Sequence, residues 1–307
     1  MKRSYTLLLF FTIILATCSP AVTPEPTAGK ITLTDALDRT VTLEAPAQKI
    51  VSLAPSNTEI LYALNAGGQV IARDDYSNYP QEAQSLPSIG DTMGTISFEK
   101  ITNLQPDLIL AAPLTSPEQV KAMEDLGLTV FMLPNPVTLP DLYKNLKTVG
   151  QLTGRESEAE MLVNNLTGRV SAIEEKLADV QEKPLVFYEL DASEPAKPWT
   201  AGPGTFVDYL IQQAGGTNLG SKLSGEWAQI SQEELIVQNP DIILLGDALY
   251  GGVTPQQVAA RPGWDQIKAV KNQKVLPFND DLVSRPGPRM VDGLEELARI
   301  LHPEAFE

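Results

Sequence analysis

Hydrophobic and polar positions along this chain follow one pattern twice. Residues 96–110 read ISFEKITNLQPDLIL and residues 230–244 read ISQEELIVQNPDIIL, and the two align without a gap. Ile96, Ser97, Glu99, Pro106, Asp107, Ile109 and Leu110 recur as Ile230, Ser231, Glu233, Pro240, Asp241, Ile243 and Leu244. Each copy predicts a short helix feeding a buried strand. The serine is placed to cap the helix by accepting a bond from a free backbone N–H. The glutamate falls in the first turn, where the helix dipole favours negative charge. Proline then forbids further helix, and a continuous apolar run follows.

The pattern extends on both sides. Residues 49–53 and 185–190 are strand-like; Asn57 or Thr58 is placed to cap the helical stretch EILYALNAGG, and residues 204–216 predict its counterpart. Both helices are expected to stop in left-handed geometry at Gly67-Gly68 and Gly215-Gly216. Downstream, QVKAMEDLG leads to TVFML and WDQIKAV leads to KVLPF. Alternating strands and helices predict an α/β fold with mainly parallel sheets. One recurrence, at a spacing far beyond a solenoid period, predicts two similar lobes with a ligand cleft between them. Residues 31–43 alternate around Asp38-Arg39 as a β-hairpin. Between the lobes, Leu142, Leu146, Val149 and Leu152 share one helical face, and Leu162, Leu166, Val170, Ile173 and Leu177 share another. The second run predicts one long joining helix of roughly 24 residues, about 36 Å. The expected organisation is an N-terminal lobe with its leading hairpin at 31–138, connecting helices at 139–182 and a C-terminal lobe at 183–307.

Composition narrows the function. The chain has 307 residues, 43% of them hydrophobic and 20% charged, and a net charge of −16. Such an acidic surface predicts no nucleic-acid partner. Lys2 and Arg3 precede an apolar run too short to span a membrane, which ends at Leu15-Ala16-Thr17-Cys18. This is similar to a bacterial lipoprotein signal, with residues 1–17 removed and Cys18 lipidated, although Thr17 stands where Gly, Ala or Ser is usual. The alternative is a plain secreted protein. Residues 18–30 read as a Pro/Thr-rich tether. Cys18 is the only cysteine and His302 the only histidine. An internal disulfide, a zinc site and a Ser-His-Asp triad are therefore not expected, nor is any metal, cofactor or catalytic residue. His302, at the end of the last helix, is expected at the surface.

Several stretches together carry a family resemblance: ITLTDALDRTVTLEAPAQKIVSLAPSNTEILYAL, DDYSNYP at 74–80, both copies of the repeat, and RPGPRMVDGLEELARILHP at 285–303. Over about residues 31–304 the chain resembles the helical-backbone class (class III) of ABC-transporter solute-binding proteins, which serve cobalamin, ferric siderophores and haem. It is most similar to the cobalamin-binding branch. The resemblance implies an extracytoplasmic receptor that captures a corrinoid and delivers it to an importer's membrane subunits and ATPase, with ferric-siderophore or haem binding as the alternative. It implies that Glu99 and Glu233 dock onto arginines of the membrane subunits, and a protruding carboxylate suits a bidentate guanidinium bond. It also places Tyr76 and Trp199 at ligand-facing aromatic positions. Met93 and Leu282 stand where that branch has two further aromatics.

The residues themselves point to the same cleft. Loops at the carboxyl ends of strands should line it: 54–59 with Asn57, 73–80, 90–95, 189–204, 246–252 and 279–289. Aromatics on such loops suit a large flat ligand. Arg285 fits either an anionic group of the ligand or a salt bridge within its own lobe. Trp227 fits either the cleft or packing at the lobe surface, and Trp264 reads as core. Asp74-Asp75 and Asp280-Asp281 lack an EF-type loop and read as loop solvation. The long helix predicts only modest closure on ligand. A carboxylate-based extracytoplasmic hydrolase using Asp75 and Asp281 is the competing class. It lacks a nucleophile–base set and a phosphate-binding GXXXXGKS/T loop.

Overall fold

A computed structural model describes residues 29–307. Cys18 and the signal segment lie outside the described residues, as does most of the tether. The hairpin is present: β1 (Ile31–Thr34) and β2 (Thr40–Leu43) pair antiparallel with Ile31 opposite Leu43. Asp35 closes the turn by accepting from the N–H groups of Leu37 (2.9 Å) and Arg39 (3.1 Å).

The first lobe comprises β3 (Ile50–Ser52), α1 (Pro55–Ala63), β4 (Val70–Arg73), α2 (Phe98–Leu104), β5 (Leu108–Ala111), α3 (Pro117–Asp125) and β6 (Val130–Met132). Its sheet is all parallel, in the order β4-β3-β5-β6. Next come α4 (Leu139–Thr153) and α5 (Glu156–Leu177), separated by Gly154 at φ 69°. At 22 residues, α5 is roughly 33 Å long.

The second lobe comprises β7 (Leu185–Glu189), β8 (Trp199–Ala201), α6 (Phe206–Gln213), β9 (Thr217–Asn218), β10 (Trp227–Gln229), α7 (Gln232–Gln238) and β11 (Ile242–Leu245). Then follow α8 (Ala248–Gly251), α9 (Pro255–Ala259), α10 (Lys268–Lys271), β12 (Val275–Pro277), α11 (Asp281–Ser284) and α12 (Met290–Leu301). Its main sheet is again parallel, in the order β12-β11-β7-β9, while β8 and β10 form a separate antiparallel ribbon.

The repeat is structural as well as textual. Ser97 caps α2 by accepting from Lys100 N–H (3.3 Å), and Ser231 caps α7 by accepting from Glu234 N–H (3.2 Å). Gln105 and Asn239 end these helices in the left-handed region at φ 50° and 51°. The aspartate after each proline then ties its strand to the first strand of its lobe. Asp107 Oδ2 accepts from Lys49 N–H at 2.9 Å while Asp107 N–H donates to Lys49 O at 2.8 Å. Asp241 makes the same pair with Leu185, both bonds at 2.8 Å.

Period-2 alternation sorts the strands between two sides. Ile50, Leu108, Leu110, Val186, Tyr188, Ile242 and Leu244 belong to one apolar cluster that also takes in Leu142, Leu146 and Val149 of α4 and Val163, Leu166 and Ile173 of α5. The alternate residues, such as Ile109 and Ile243, face separate cores on the outer side of each lobe. Strands buried on both faces are expected to be continuously apolar, which accounts for DLIL and DIIL. The two connecting helices thus share a single core with both lobes.

Some local expectations are corrected. The first helix begins at Pro55 with Ala54 as its cap, so neither Asn57 nor Thr58 caps it. The left-handed residue after it is Asn65 (φ 56°), and Gly67–Gln69 form a 3-10 turn; in the second lobe Gly215 (φ 83°) takes the expected role. The stretch 264–270 divides into a 3-10 turn and α10. His302 is not at the surface: it is 2% exposed, and its Nε2 lies 3.2 Å from Gly215 O. A Cβ at residue 215 would sit 2.7 Å from that nitrogen. Trp264 is fully buried, as predicted.

Candidate ligand cleft

The parallel strands of each lobe carry their connecting loops at their carboxyl ends, and these loops form the cleft. In the first lobe Asp74 builds the loop after β4. Its buried carboxylate accepts from Tyr76 N–H (3.2 Å) and from the Ser77 hydroxyl, and Ser77 in turn bonds Thr58 at 2.8 Å. Burial pushes the Asp74 carboxyl above its ordinary range, and the Ser77 bond offsets part of that rise. Tyr76 stands out from this support, 45% exposed, with its hydroxyl donating to Asp91 Oδ2 at 3.3 Å. The other oxygen of Asp91 accepts from Met93 N–H at 2.8 Å. One carboxylate therefore holds Tyr76 and Met93 beside each other on the loops between β4 and α2, and Met93 is 64% exposed.

On the second lobe the exposed aromatics stand on the ribbon. Trp199 of β8 is opposite Gln229 and Ala201 is opposite Trp227. Alternation puts Trp199 and Trp227 on the same face, and each is 40% exposed. Trp227 leans edge-on against Phe206 with ring centroids 5.9 Å apart. Gly202 permits the close turn: a Cβ there would lie 2.0 Å from Gly225 O. The ribbon is fixed to the segment that follows β7 through Leu190 N–H to Trp199 O (2.9 Å) and Trp199 N–H to Asp191 O (2.8 Å).

Of the other sequence candidates, Asn57 is 2% exposed and donates to Leu110 O at 3.1 Å, so it braces α1 against β5 from beneath the cleft. Leu282 is half-buried and packs against the shared core. Arg285 is fully engaged. It pairs with Asp281 of its own lobe (3.0 Å) and donates to Tyr250 Oη (3.2 Å) and, across the cleft, to Asn78 Oδ1 (2.6 Å). The acidic pairs do more than solvate loops. Asp74 is buried, Asp280 accepts from the buried Tyr188 hydroxyl, and Asp75 accepts from the Ser88 hydroxyl.

Sequence reasoning missed the group that joins the lobes. Arg289, just before α12, makes a bidentate bond to Glu59 of α1, at 2.8 and 2.6 Å. Its guanidinium also lies over the Tyr79 ring, 4.0 Å from the centroid. Burial pushes the Glu59 carboxyl up, while Arg289 and Arg285 pull it back. A recess of about 490 Å³ opens beside this clasp, lined by Tyr62, Tyr79, Pro80 and Glu82 among others, and apart from the aromatic rims. A second internal pair joins Glu189, at the end of β7, to Arg261 (2.5 and 2.8 Å), whose guanidinium also lies over the Trp264 ring. Next to it burial, reinforced by the charge of Glu189, pushes Asp247 up to about 6. No group of His, Cys, Asp and Glu suited to a metal ion occurs among the described residues.

The repeat glutamates stand apart from the cleft floor. Glu99 and Glu233 occupy the first turns of α2 and α7, are exposed, and enter no ion pair among the described residues. Each helix runs back toward the amino end of the strand it feeds, so each glutamate lies at the cleft end of its lobe.

Two like α/β lobes with parallel sheets, joined through a long helix and a shared helical core, define a solute-binding protein of the helical-backbone class. The chain belongs to the periplasmic binding protein family, whose sequence model matches residues 50–282. It is 32% identical to YvrC of Bacillus subtilis, an uncharacterized ABC transporter substrate-binding lipoprotein, over 98% of this chain and 96% of the relative. Among solved structures it is similar to a possible iron-binding periplasmic solute-binding protein of Staphylococcus epidermidis (30% identity, TM-score 0.73, 83% of this chain and 99% of that one). It is also similar to the vitamin B12 binding protein BtuF of Vibrio cholerae (28%, TM-score 0.72, 85% and 99%). These relatives are binding proteins. The chain is accordingly an extracytoplasmic substrate-binding component of an ABC importer, of the B12, siderophore and haem family, and not an enzyme. The carboxylates required by the hydrolase alternative are already committed, Asp281 to Arg285 and Tyr250, and Asp75 to Ser88.

Proposed function

We propose that the protein captures a corrinoid between its lobes and passes it to its importer while anchored to the membrane through a lipid on Cys18. The observation that carries the ligand reading is the pair of tryptophans exposed on one face of the β8–β10 ribbon. Together with Tyr76 and Met93 on the other rim, they offer flat apolar area with few polar groups, which suits a wide macrocycle. Similarity to vitamin B12-binding proteins, 28% over 258 residues for that of Vibrio cholerae, supports the same reading. Haem held through histidine does not fit, because His302 is buried beside Gly215, away from the cleft. Titration of the purified soluble chain with cyanocobalamin, a ferric hydroxamate siderophore and haemin, read by tryptophan fluorescence and calorimetry, tests the proposal. Tightest binding of cyanocobalamin is expected; tighter binding of the ferric chelate would replace corrinoid with siderophore. The lipid anchor is supported by the LATC sequence and by the lipoprotein relative.

A further inference from the structure

Two methionines among the described residues are open to solvent, Met93 (64% exposed) and Met161 (62%), while Met123, Met132 and Met290 are buried. Cys18 is the only cysteine and is committed to the proposed anchor, so among the described residues these two thioethers are the sulfur atoms an external oxidant can reach. Their settings differ. Met161 stands on α5, in the connecting helices. Met93 stands on a loop over the carboxyl end of the first sheet: its neighbour Thr92 is 1% exposed and donates to Leu53 O (2.9 Å), directly after β3. Gly94 lets the chain wrap the Asp91 carboxylate that Met93 N–H and the Tyr76 hydroxyl share, since a Cβ at residue 94 would lie 2.8 Å from Asp91 Oδ2. The loop that carries Tyr76 in turn meets the second lobe, where Arg285 donates to Asn78 Oδ1. The backbone around Met93 is therefore fixed, and its thioether is left uncovered beside Tyr76 at the end of the lobe that meets its partner lobe.

We propose that Met93 is a site of reversible oxidation by peroxides, and that its sulfoxide lowers capture of the ligand. This rests on the ligand reading of the cleft given above. With hydrogen peroxide, a sulfur lone pair attacks one peroxide oxygen and the O–O bond breaks. The departing hydroxide takes the proton left on the transferred oxygen and leaves as water; sulfur loses two electrons and the peroxide gains them. The reverse step takes two electrons from a dithiol, which becomes a disulfide, and releases the oxygen as water. The change is large for the site. A flexible, polarizable apolar side chain becomes a polar, chiral one with an acceptor oxygen. Under a flat apolar ligand that oxygen would lack a donor, because the nearby Tyr76 hydroxyl is already given to Asp91.

The test treats the purified soluble chain, Met93→Leu and Met161→Leu with graded hydrogen peroxide in the absence of ligand. Peptide mass spectrometry locates the sulfoxides, and calorimetry measures binding of cyanocobalamin, a ferric hydroxamate siderophore and haemin. Each protein is compared with its own untreated sample. Wild type should gain oxygen at Met93 and Met161 and bind about tenfold more weakly, with its melting temperature unchanged. Met161→Leu should lose affinity by the same factor, and Met93→Leu should lose none beyond its own starting value. Methionine sulfoxide reductases with dithiothreitol should restore the wild type. Unchanged affinity in protein fully oxidised at Met93, or an equal loss in Met93→Leu, would overturn the proposal. Failure of the corrinoid reading is a separate result: if the ferric chelate or haemin binds in place of cyanocobalamin, the same loss on oxidation, measured with that ligand, still supports the role of Met93. Absence of binding by all three untreated would remove the ligand reading and this inference with it.

Discussion

Arg289 of the second lobe holds Glu59 of the first through two hydrogen bonds, 2.8 and 2.6 Å, with the carboxylate 3% exposed. The lobes are thus joined across the cleft floor by a charge pair as well as by the core of α4 and α5. Loss of one partner strands the other as a buried charge, which costs about 3–5 kcal/mol when burial is complete. Arg289 keeps 14% side-chain exposure, so about 2–3 kcal/mol is expected for either Glu59→Gln or Arg289→Met. The double variant should recover much of that loss. Urea unfolding of all four proteins gives the coupling, and strictly additive losses would mean the pair acts as two independent surface groups.

Asp247 makes stability depend on pH. Its folded value of about 6 lies above the ordinary 3.8, so the folded state binds the proton more tightly than the unfolded chain. The contribution is fully present below about pH 4 and is lost as pH rises through 6. Asp247→Asn should therefore stabilise the protein by about 1 kcal/mol at pH 7.5, a figure reduced because the group is partly solvated. At pH 4 the variant and wild type should melt together. A variant less stable than wild type at pH 7.5 would show that the bond from Ala192 N–H (3.2 Å) outweighs the buried charge.

Truncation of the rim aromatics should cost affinity rather than stability. Tyr76→Ala, Trp199→Ala and Trp227→Ala are each expected to weaken cyanocobalamin binding by about ten- to a hundredfold, in keeping with about 1–3 kcal/mol per aromatic anchor. Trp227 alone should also lower the melting point slightly, through its contact with Phe206. Intact affinity in all three would remove the ribbon from the binding site.

Charge reversal at both repeat glutamates separates transport from capture. Glu99→Arg with Glu233→Arg should abolish uptake by whole cells and leave the ligand dissociation constant unchanged. If affinity fell in parallel with uptake, these carboxylates would belong to the cleft.

Cys18 is tested by metabolic labelling with a palmitate analogue. The wild type should be labelled and Cys18→Ser should not; equal labelling of both would be incompatible with a lipid anchor at this position.

Legibility in the sequence followed the range of the interaction. The repeat, the hairpin and α5 are written in short-period patterns, and the Ser97 and Ser231 caps act within three residues. Even there, Pro55 displaced the expected cap, because proline is favoured in the first helical turn. Tyr76 and Met93 could be assigned to loops because strand ends are visible as the ends of apolar runs; Trp199, expected on the loop 189–204, instead lies in the short strand β8. The Glu59–Arg289 pair could not be found that way. Its partners are 230 residues apart, neither lies in the segments 96–110 and 230–244, and only the fold brings RPGPR over α1. His302 was misjudged for the same reason: a helix C-terminus is exposed by default unless another segment covers it, and Gly215 does so.

The apolar cluster shared by α4, α5 and both sheets has a consequence for selectivity. A gap whose walls are tied to one common core acts as a gauge of set width. A guest too narrow to touch both rims gains from only one of them, whatever its chemistry, and a guest of the right breadth gains from both with little rearrangement. On the proposed corrinoid reading, the expected consequence is selection by span before any single polar contact is made, with small metabolites that share functional groups with the cargo passed over on size alone.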